Sequence, residues 1–409
     1  MLNKNEKIEL LRDMVKINTV NGNERELAEY LKKYLEKYGI ESKLIELEEN
    51  RASLVAEIQN GSGTTLALSG HLDVVDPGDE KEWTYPPFSA EIEDGILWGR
   101  GASDMKSGLA ALVSALIEVH EQNNFHGKIR LLATVGEEVG ELGSGQLTDL
   151  GYMDDVDALI IAEPCNLGVV YGHKGSLNYK VTAKGVSAHS SAPQIGINAI
   201  EKLSKAIQAL STAANRWKTQ YDDAVLGKVT HSVTLISGGT QVNSVPDYAE
   251  FEANVRTTEA FDNGHVISEI QEILSELNDA NPGTLTFEVT ANQPPVVTDS
   301  NSKLIRTVMQ EASAVSSLKP QSILQTMGDA IGKSLTEREE LKNITELTSM
   351  TLPGTTDAAQ FLKKNKKLDL AVYGPGMPML NHKVDERIPL QQYLDFAEVY
   401  VKVINKFME

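Results

Sequence analysis

Histidine and acidic residues follow the ends of several apolar segments in this sequence. The segments TTLALSG, IRLLATVG, ALIIA and LDLAVYGPG are followed, directly or within a few residues, by such groups: His71 with Asp73, Glu137 with Glu138, Glu163, and His382. In open α/β sheets, ligands bind beyond the carboxyl ends of the strands. If these segments are strands, they deliver imidazole and carboxylate groups to one sheet edge, where such groups bind metal ions or transfer protons.

A further carboxylate, Asp104, lies in the segment GRGASDMKSGLAA, in a glycine-containing loop just before a predicted helix. This segment is not a dinucleotide-binding fingerprint, because the third glycine of that motif is missing and no strand leads directly into it. Considered alone, Asp104 is equally well explained as the N-cap of the helix. The other groups expected at the same sheet edge make it a candidate functional residue.

Each of these residues has an ordinary explanation when it is taken singly: a satisfied core histidine, a solvated pair of glutamates, or a turn residue. Together they are hard to explain without a cation. Carboxylates that are gathered in a buried place raise one another's pKa and desolvation adds to the cost, whereas a bound metal ion reverses it. Two histidines and three or more carboxylates exceed one tetrahedral zinc site but suit two ions that share a bridging carboxylate. Such nitrogen and oxygen ligands favour zinc, with cobalt or manganese as substitutes.

The spacing also suggests roles for groups beside the ligands. Residues two apart in a strand face the same side, so Asp73 is expected to accept the imidazole N–H of His71 and to fix the tautomer that binds metal. Adjacent residues of an extended chain point in opposite directions, so Glu137 and Glu138 are not expected to bind the same ion. One is expected to be a ligand and the other to take a proton from water, and the spacing does not decide which.

The segments that must position these groups form two kinds of pattern. Strand-like and helical segments alternate up to about residue 170, which predicts an α/β fold with a mainly parallel sheet covered on both faces. From Gly175 onwards, the order β-α-β-β-α-β predicts a small antiparallel sheet with two helices, a ferredoxin-like unit. A proline-containing stretch at 292–301 resembles a linker and leads into more α/β sequence. We therefore expect a discontinuous α/β domain over 1–175 and 293–409, with an inserted α+β domain over 176–292.

The composition is that of an ordinary globular protein with a strong negative charge. The 409 residues are 41% hydrophobic and carry a formal net charge of −20, which disfavours nucleic acid and anionic membranes as partners. The single cysteine, Cys165, cannot form an intrachain disulfide and fits a reducing compartment. The first residues have helical periodicity with charges throughout, unlike a signal or transit peptide, and no apolar run reaches the roughly 20 residues that span a bilayer. These features predict a cytoplasmic protein.

The motifs together resemble those of the dinuclear zinc amidohydrolase and peptidase family, which includes desuccinylases, acetylornithine deacetylases, aminoacylases and carboxypeptidase G. The resemblance covers nearly the whole chain and is strongest to the succinyl-diaminopimelate desuccinylase branch. Its most specific stretches are SGHLDVVDPGDEKEWTYPPFSAEIEDGILWGRGASDMKSGLAA, GEEVGELGS, AEP, GVSAHSSAP, and GPG with NHKVDE. The resemblance implies a zinc-peptidase-like catalytic domain and an inserted ferredoxin-like domain that serves as lid and dimerisation domain.

The resemblance also assigns roles that the spacing left open. It implies two zinc ions per subunit, for which cobalt or manganese can substitute. The ligands that it implies are His71, Asp104 and Glu163 for one ion, and Asp104, Glu138 and His382 for the other. It further implies that Glu137 is the general base, that Asp73 orients His71, and that a cis peptide bond follows Asp104.

The inserted domain contains most of the positions that the resemblance links to the substrate, and the others, Lys174 and Thr355, lie outside its expected bounds. His189, in GVSAHSS, resembles the lid histidine that reaches the active site of the partner subunit and stabilises the oxyanion. Arg256 resembles the arginine that binds the substrate carboxylate. Further positions that resemble substrate contacts are Asn243, Ser176 and Thr355. An arginine is expected where Lys174 stands, and because lysine grips a carboxylate less rigidly, the exact acyl group stays open.

The reaction that the resemblance implies is hydrolysis of the amide bond of N-succinyl-LL-diaminopimelate by a homodimer, giving succinate and LL-diaminopimelate for lysine and cell-wall synthesis. The alternative within the family is an acetylornithine deacetylase, another N-acyl amino acid hydrolase or a dipeptidase. An alternative of a different class is a metal-free scaffold or binding protein on the same fold. Such a protein should have lost a metal ligand or the general base, and none is missing from this sequence.

Overall fold

A computed structural model describes residues 1–280, 284–331 and 343–409 of the chain. The chain forms two compact units, which we call the large unit and the inserted unit. The large unit contains Met1–Tyr171, Thr298–Met350 and Thr356–Glu409, and the inserted unit contains Gly172–Val297 and Thr351–Thr355. The divisions at 171/172 and 297/298 lie a few residues from the domain boundaries expected from the sequence. The expected boundaries left residues 351–355 in the α/β domain, whereas the structure groups them with the inserted unit.

The first residues, whose sequence has helical periodicity, form a helix. In the described residues, the α-helices are α1 (Lys4–Lys16), α2 (Glu24–Glu36), α3 (Lys106–Gln122), α4 (Leu142–Asp149), α5 (Ala199–Gln220), α6 (Asn263–Ala280), α7 (Lys303–Ser313), α8 (Pro320–Ile331), α9 (Ala358–Phe361) and α10 (Leu390–Met408). Short 3₁₀ turns are Glu80–Glu82, Pro193–Ile195, Ser316–Leu318 and Pro378–Leu380. None of the helices within these described ranges is both long enough and apolar enough to cross a membrane.

The strands follow the predicted alternation with the helices. They are β1 (Ser42–Glu48), β2 (Arg51–Asn60), β3 (Thr65–His71), β4 (Glu91–Glu93), β5 (Ile96–Trp98), β6 (Gly127–Thr134), β7 (Ala158–Ile161), β8 (Val169–His173), β9 (Gly175–Lys184), β10 (Ala188–His189), β11 (Asp222–Asp223), β12 (Gly227–Lys228), β13 (Thr230–Gly238), β14 (Ser244–Val245), β15 (Tyr248–Thr257), β16 (Leu285–Gln293), β17 (Val296–Val297), β18 (Ser349–Leu352), β19 (Asp369–Val372) and β20 (Arg387–Pro389). The segment GTLTFEVTA over 283–291 supplies the last strand of the predicted β-α-β-β-α-β order; it corresponds to β16, and its first residue lies outside the described residues.

The large unit is built on a mixed sheet with the order β1-β2-β6-β3-β7-β19-β8. The middle strands β6, β3, β7 and β19 are parallel, whereas β1, β2 and β8 pair antiparallel with their neighbours. The α/β fold class is therefore confirmed, with parallel pairing confined to the centre of the sheet. Strands β3 and β7 are buried along their whole length, which explains why they are continuous apolar runs rather than alternating sequences.

Helix α3 packs closely against this sheet at the end of β7. A Cβ atom at Gly108 would lie 2.0 Å from the backbone oxygen of Ala162, so a glycine is required for this approach. Helix α3 begins two residues after Asp104, and Ala162 immediately precedes Glu163. The close approach therefore brings two candidate metal ligands from distant parts of the sequence to the same end of the sheet.

The inserted unit contains an antiparallel sheet with the order β13-β15-β9-β16. Along the chain its main elements are β9, α5, β13, β15, α6 and β16, which confirms the predicted β-α-β-β-α-β order of a ferredoxin-like unit. Buried and partly exposed residues alternate along β15, as expected for a strand with one face on a core. Side chains of α5, including Leu203, Leu210 and Trp217, pack in that core.

Candidate metal centre

The candidate ligands of the large unit lie where its parallel strands end. His71 is the last residue of β3, and its register partner Thr134 is the last residue of β6. The loop after β6 carries Glu137 and Glu138, so it begins next to His71. Strand β7 ends two residues before Glu163. This register brings these groups to one edge of the sheet, where the sequence predicted them.

Asp104 lies at the centre of the cluster. Its Oδ1 atom is 3.2 Å from Nε2 of His71, and its Oδ2 atom is 3.5 Å from Nε2 of His382. Each oxygen of one carboxylate therefore faces a different histidine, which is the arrangement that a bridging ligand between two metal ions requires. The peptide bond between Asp104 and Met105 is cis, as the family resemblance implied.

Two glutamates extend the cluster on either side of Asp104. Oε1 of Glu163 is 3.8 Å from Nε2 of His71, and Oε1 of Glu138 is 3.0 Å from Nε2 of His382. The cluster thus has a His71 side and a His382 side that share one carboxylate. Ligand atoms of His71, Asp104 and Glu138 all lie within 4.8 Å of one another, a separation that ligand bonds of about 2.0–2.3 Å to a metal ion can bridge.

The electrostatics of the cluster are those of a cation site. Burial opposes protonation of His71, but the charges of Glu163 and Asp104 raise its pKa well above the usual value. Hydrogen bonds to Asp104 and Glu138 raise the pKa of His382 to about 10. Burial raises the pKa of Glu163 well above its usual value, although His71 opposes this shift. Protons thus supply the positive charge that the clustered carboxylates need, and a divalent cation fits the same set of donors.

Asp73 has different contacts from those that the spacing predicted. Nδ1 of His71 lies 2.9 Å from the backbone oxygen of Asp73 and 3.6 Å from its carboxylate. The carboxylate is the more distant group because β3 ends at His71, so the alternation of a strand does not extend to Asp73. Because a carbonyl oxygen can only accept, this contact requires a proton on Nδ1 and directs Nε2 towards the cluster.

The Asp73 carboxylate instead holds the segment that contains the glutamate pair. It accepts hydrogen bonds from the backbone amides of Glu137 and Glu138, each at 3.0 Å. Burial alone would raise the pKa of Asp73, but His71 and these amides hold it below the usual value. An ionised Asp73 therefore fixes the main chain of both glutamates.

Glu138 contacts His382, which leaves Glu137 as the candidate for proton transfer. Burial and the charge of Glu163 raise the pKa of Glu137 well above its usual value, although His71 opposes this. A carboxylate with a raised pKa is a better base near neutral pH than an ordinary one. The geometry favours the division of roles that the family resemblance implied.

Sequence reasoning missed Asp357, a buried carboxylate of the large unit. Its Oδ2 accepts a hydrogen bond from the hydroxyl of Thr134 and its Oδ1 from that of Ser144, each at 2.6 Å. Thr134 ends β6 and Ser144 lies in the first turn of α4, so Asp357 connects the two ends of the loop carrying Glu137 and Glu138. Its sequence context, TTDAAQF, is equally typical of a helix N-cap and gave no signal of this role.

In the inserted unit, Ser176 and Arg256 are direct register partners in β9 and β15. Directly opposed residues of an antiparallel pair project from the same face of the sheet. The Ser176 hydroxyl also accepts a hydrogen bond from Asn254 at 3.0 Å. Two of the residues that the resemblance links to the substrate are thus neighbours.

His189 and Asn243 lie close together elsewhere in the inserted unit. His189 is exposed on the short strand β10, and its Nδ1 is 2.7 Å from the hydroxyl of Ser191. The backbone oxygen of Asn243 accepts a hydrogen bond of 3.0 Å from the amide of Ser190. The side chain of His189 is accessible to a ligand that approaches this strand.

Lys174 and Thr355 are the two remaining positions that the resemblance links to the substrate. The ammonium of Lys174 donates a hydrogen bond to the backbone oxygen of Lys228, and burial lowers its pKa. Thr355 is partly buried and ends the short stretch Thr351–Thr355 of the inserted unit. Their roles in substrate binding stay predictions from the resemblance.

Known proteins are similar to this chain in sequence and in fold. The profile of "Peptidase family M20/M25/M40" matches residues 67–333. A "Probable succinyl-diaminopimelate desuccinylase" of Staphylococcus aureus strain MSSA476 is 41% identical over 428 aligned positions, which cover 99% of this chain and 98% of the relative. A protein of the same description from Staphylococcus epidermidis strain RP62A is 37% identical and covers 100% of this chain and 99% of its own.

Solved structures with low sequence identity have the same fold. An M20 family metallo-carboxypeptidase of Sulfolobus solfataricus has a TM-score of 0.76 at 19% identity, covering 98% of this chain and 99% of its own. A tripeptidase of Staphylococcus aureus has a TM-score of 0.73 at 21% identity and covers 100% and 99%. The Bacillus subtilis YXEP protein, described as a dinuclear metal binding peptidase, has a TM-score of 0.68 at 15% identity and covers 99% and 98%.

Zinc binding at about pH 8 is expected to release protons, because imidazole binds a metal ion only in its neutral form. In the metal-free cluster the pKa of His382 is raised to about 10, so most molecules carry a proton there that zinc must displace. Calorimetry in buffers of different ionisation enthalpy measures this release. His382→Gln should lower the release by about one proton per chain, and His126→Gln, on an exposed residue, should leave it unchanged. Equal release from wild type and His382→Gln would contradict the assignment.

Proposed function

The chain belongs to peptidase family M20/M25/M40, whose members are metal-dependent hydrolases, and from this premise we propose that it hydrolyses the amide bond of N-succinyl-LL-diaminopimelate. The products are succinate and LL-diaminopimelate. The substrate assignment is supported by relatives at 37–41% identity that are described as probable succinyl-diaminopimelate desuccinylases and match over essentially their full length. The chemical assignment is supported by one observation above all, the Asp104 carboxylate that faces His71 with one oxygen and His382 with the other.

The cluster is proposed to hold two zinc ions, for which cobalt or manganese can substitute. The ligand sets are His71, Asp104 and Glu163 on one side, and Asp104, Glu138 and His382 on the other. Nitrogen and oxygen donors of this kind suit zinc. When bound, such ions polarise a substrate carbonyl and lower the pKa of water to near neutrality.

Glu137 is proposed to act as the general base and then as the general acid. It takes a proton from the attacking water, whose oxygen forms a bond to the amide carbon. As the carbon–nitrogen bond breaks, Glu137 gives that proton to the leaving amine, which departs as a neutral group. The Asp73 carboxylate accepts a hydrogen bond from the backbone amide of Glu137 and so fixes its main chain, which positions the base before substrate arrives.

The inserted unit is proposed to recognise the substrate. Arg256 offers a bidentate fork to a substrate carboxylate, and its register partner Ser176 contributes a hydroxyl from the same face of the sheet. We assign Asn243, Lys174 and Thr355 to further polar contacts with the acyl amino acid. N-succinyl-LL-diaminopimelate carries several carboxylates, so a site that contains Arg256 and Lys174 matches its charge.

The chain is further proposed to form a homodimer through the inserted unit. Strand β13 lies at one edge of its sheet, and Leu235 and Ile236 on this strand are 62% and 66% exposed. An edge strand with large exposed apolar side chains is a template for pairing with a second copy. In this dimer, His189 of one subunit donates a hydrogen bond to the oxyanion that forms on the substrate in the other subunit.

A second candidate is hydrolysis of another N-acyl amino acid, such as N-acetylornithine, or of a short peptide. The observation that favours it is Lys174, which stands where the resemblance expects an arginine. A lysine cannot reproduce the bidentate contact of arginine with a terminal carboxylate of a succinyl group. The catalytic steps are the same in both candidates.

The substrate assignment is tested by comparing two substrates with the zinc-loaded protein. Succinate release from N-succinyl-LL-diaminopimelate should exceed acetate release from N-acetylornithine by at least about tenfold in kcat/KM, because the second substrate lacks the distal succinyl carboxylate. A chelator should abolish both reactions, and added zinc should restore them. Comparable or better turnover of N-acetylornithine would overturn the substrate and leave the chemistry standing.

The neighbouring residues Glu137 and Glu138 provide a matched test of the chemical roles. Glu137→Gln removes the base, so kcat should fall by about 10²–10⁴-fold while zinc content stays at the wild-type level. Glu138→Gln replaces an anionic ligand with a neutral one, so zinc affinity should fall, and excess zinc should restore part of the activity. Metal analysis together with steady-state kinetics separates the two results. Loss of zinc from Glu137→Gln, with zinc retained in Glu138→Gln, would reverse the two assignments.

The dimer is tested by introducing charge on the edge strand. Leu235→Lys should give a monomer in sedimentation experiments and lower kcat by about 10²–10³-fold through loss of the His189 contact, with zinc content unchanged. Leu150→Lys is the matched control, because Leu150 is 59% exposed on the large unit. This control should remain dimeric and active. A fully active Leu235→Lys monomer would remove His189 from the mechanism.

A further inference from the structure

A buried carboxylate outside the ligand set, Glu386, is bound to the backbone of the segment that carries Asp104. Its Oε1 accepts hydrogen bonds from the backbone amides of Ser103 and Asp104, at 2.8 and 2.9 Å. Its Oε2 lies 2.5 Å from Nη1 of Arg100, a residue of the same segment. Glu386 is 0% exposed and Arg100 is 1% exposed, so this contact is shielded from water.

The same two segments are joined a second time through the Ser103 side chain. Its hydroxyl oxygen accepts a hydrogen bond of 2.7 Å from the backbone amide of Met377 and lies 3.1 Å from Oδ1 of Asn381, to which it donates. Asn381 immediately precedes His382 in the chain. The segment containing Asp104 is therefore attached to the segment containing His382 on both sides of that histidine.

The composition of this network indicates a geometric role. A buried ion pair gains little net stability over apolar side chains of similar size, because desolvation offsets the attraction of the charges. An apolar residue at position 386 would fill the space but could not bind the two amides. By accepting from the backbone amides of Ser103 and Asp104, Glu386 fixes the main chain from which the Asp104 side chain projects. A contact to the Asp104 carboxylate itself would instead compete with a metal ion.

We infer that Glu386 is a positioning residue that sets the separation between Asp104 and His382, the two residues that face each other on the His382 side of the cluster. This inference rests on the proposed metal centre. Without Glu386, the Ser103–Asp104 backbone loses its acceptor, and the distance between the carboxylate and the imidazole is no longer held at a value that one ion can span. The expected consequence is weaker metal binding with altered coordination geometry.

The test uses the full chain and cobalt(II) ions, whose visible absorption spectrum reports coordination geometry. Glu386→Ala should weaken cobalt binding by about 10–100-fold, the effect typical of residues that orient metal ligands, and should change the spectrum of the bound ion. Glu386→Gln retains an oxygen that can accept from both amides but loses the charge that binds Arg100. Its loss of affinity should be smaller than that of Glu386→Ala, so the conservative variant restores part of the effect.

The control is Asp385→Asn, on the adjacent residue. The Asp385 carboxylate accepts hydrogen bonds from the backbone amide and hydroxyl of Thr84, at 2.7 and 2.8 Å, and so holds a different segment. Its φ angle is 59°, a conformation that asparagine also tolerates. Cobalt affinity and the cobalt spectrum of this variant should equal those of the wild type.

The outcomes separate the role of Glu386 from the metal centre itself. If the wild type binds cobalt but Glu386→Ala binds it with the same affinity and spectrum, the role of Glu386 is wrong and the metal centre stands. If Glu386→Ala does not fold, Glu386→Leu takes its place, because leucine fills the space but cannot accept from the two amides; wild-type cobalt affinity and spectrum in that variant overturn the role of Glu386 in the same way. If wild type and His71→Ala bind cobalt equally, the proposed metal centre fails and the inference fails with it.

Discussion

The constraint on which this structure depends is the gathering of several carboxylates at one buried sheet edge. Burial and the neighbouring negative charges raise the pKa of Glu137 and Glu163. The pKa values of His71 and His382 are raised as well, because the nearby carboxylates stabilise the protonated imidazole, so both hold protons more tightly than free imidazole does. The repulsion that makes the metal-free cluster costly becomes affinity when a divalent cation replaces those protons. Metal binding and proton release are therefore two descriptions of one electrostatic balance.

A second group of buried carboxylates holds the segments that carry this charge. Asp73 binds the amides of the glutamate pair, Asp357 connects the ends of the same loop through two hydroxyl groups, and Glu386 binds the amides at Ser103 and Asp104. In each case the acceptor is a carboxyl group, and the donors are main-chain amides or small hydroxyl side chains, joined at Glu386 by the guanidinium of Arg100. Charge-assisted hydrogen bonds of this kind are short and directional, so they suit loops that must keep ligands at fixed separations. The loops at the sheet edge are thus held by buried side-chain acceptors as well as by the strands that they follow.

The sequence was informative where local pattern decides structure and silent where distant groups meet. Apolar runs located the buried strands, and the residues directly after them, such as His71 and Glu163, could be identified as candidate ligands. The contact of the Asp73 carboxylate with the amides of Glu137 and Glu138 was missed, because β3 ends at His71 and the alternation of a strand does not extend to Asp73. Glu386 and Asp357 were missed because their partners lie more than 200 residues away and are amides and hydroxyls. No residue type or spacing marks such an acceptor. The antiparallel flanks of the central sheet were missed for a related reason, since strand polarity depends on pairing and not on composition.

The candidate metal-binding residues and the candidate substrate-binding residues belong to different units of the chain. All the candidate ligands and the candidate base belong to the large unit, whereas Arg256, Ser176 and Lys174 belong to the inserted unit. Solved structures with nearly the same extent are described as a tripeptidase and a carboxypeptidase at 19–21% identity, so this fold accommodates more than one substrate. Water activation makes the same demands on the large unit whichever amide is cleaved. Under the proposed function, substrate choice requires only a different set of polar side chains in the inserted unit, where lysine at position 174 offers a point charge instead of the planar fork of arginine. The proposal therefore assigns the choice of acyl group to a few side chains that the metal chemistry does not constrain.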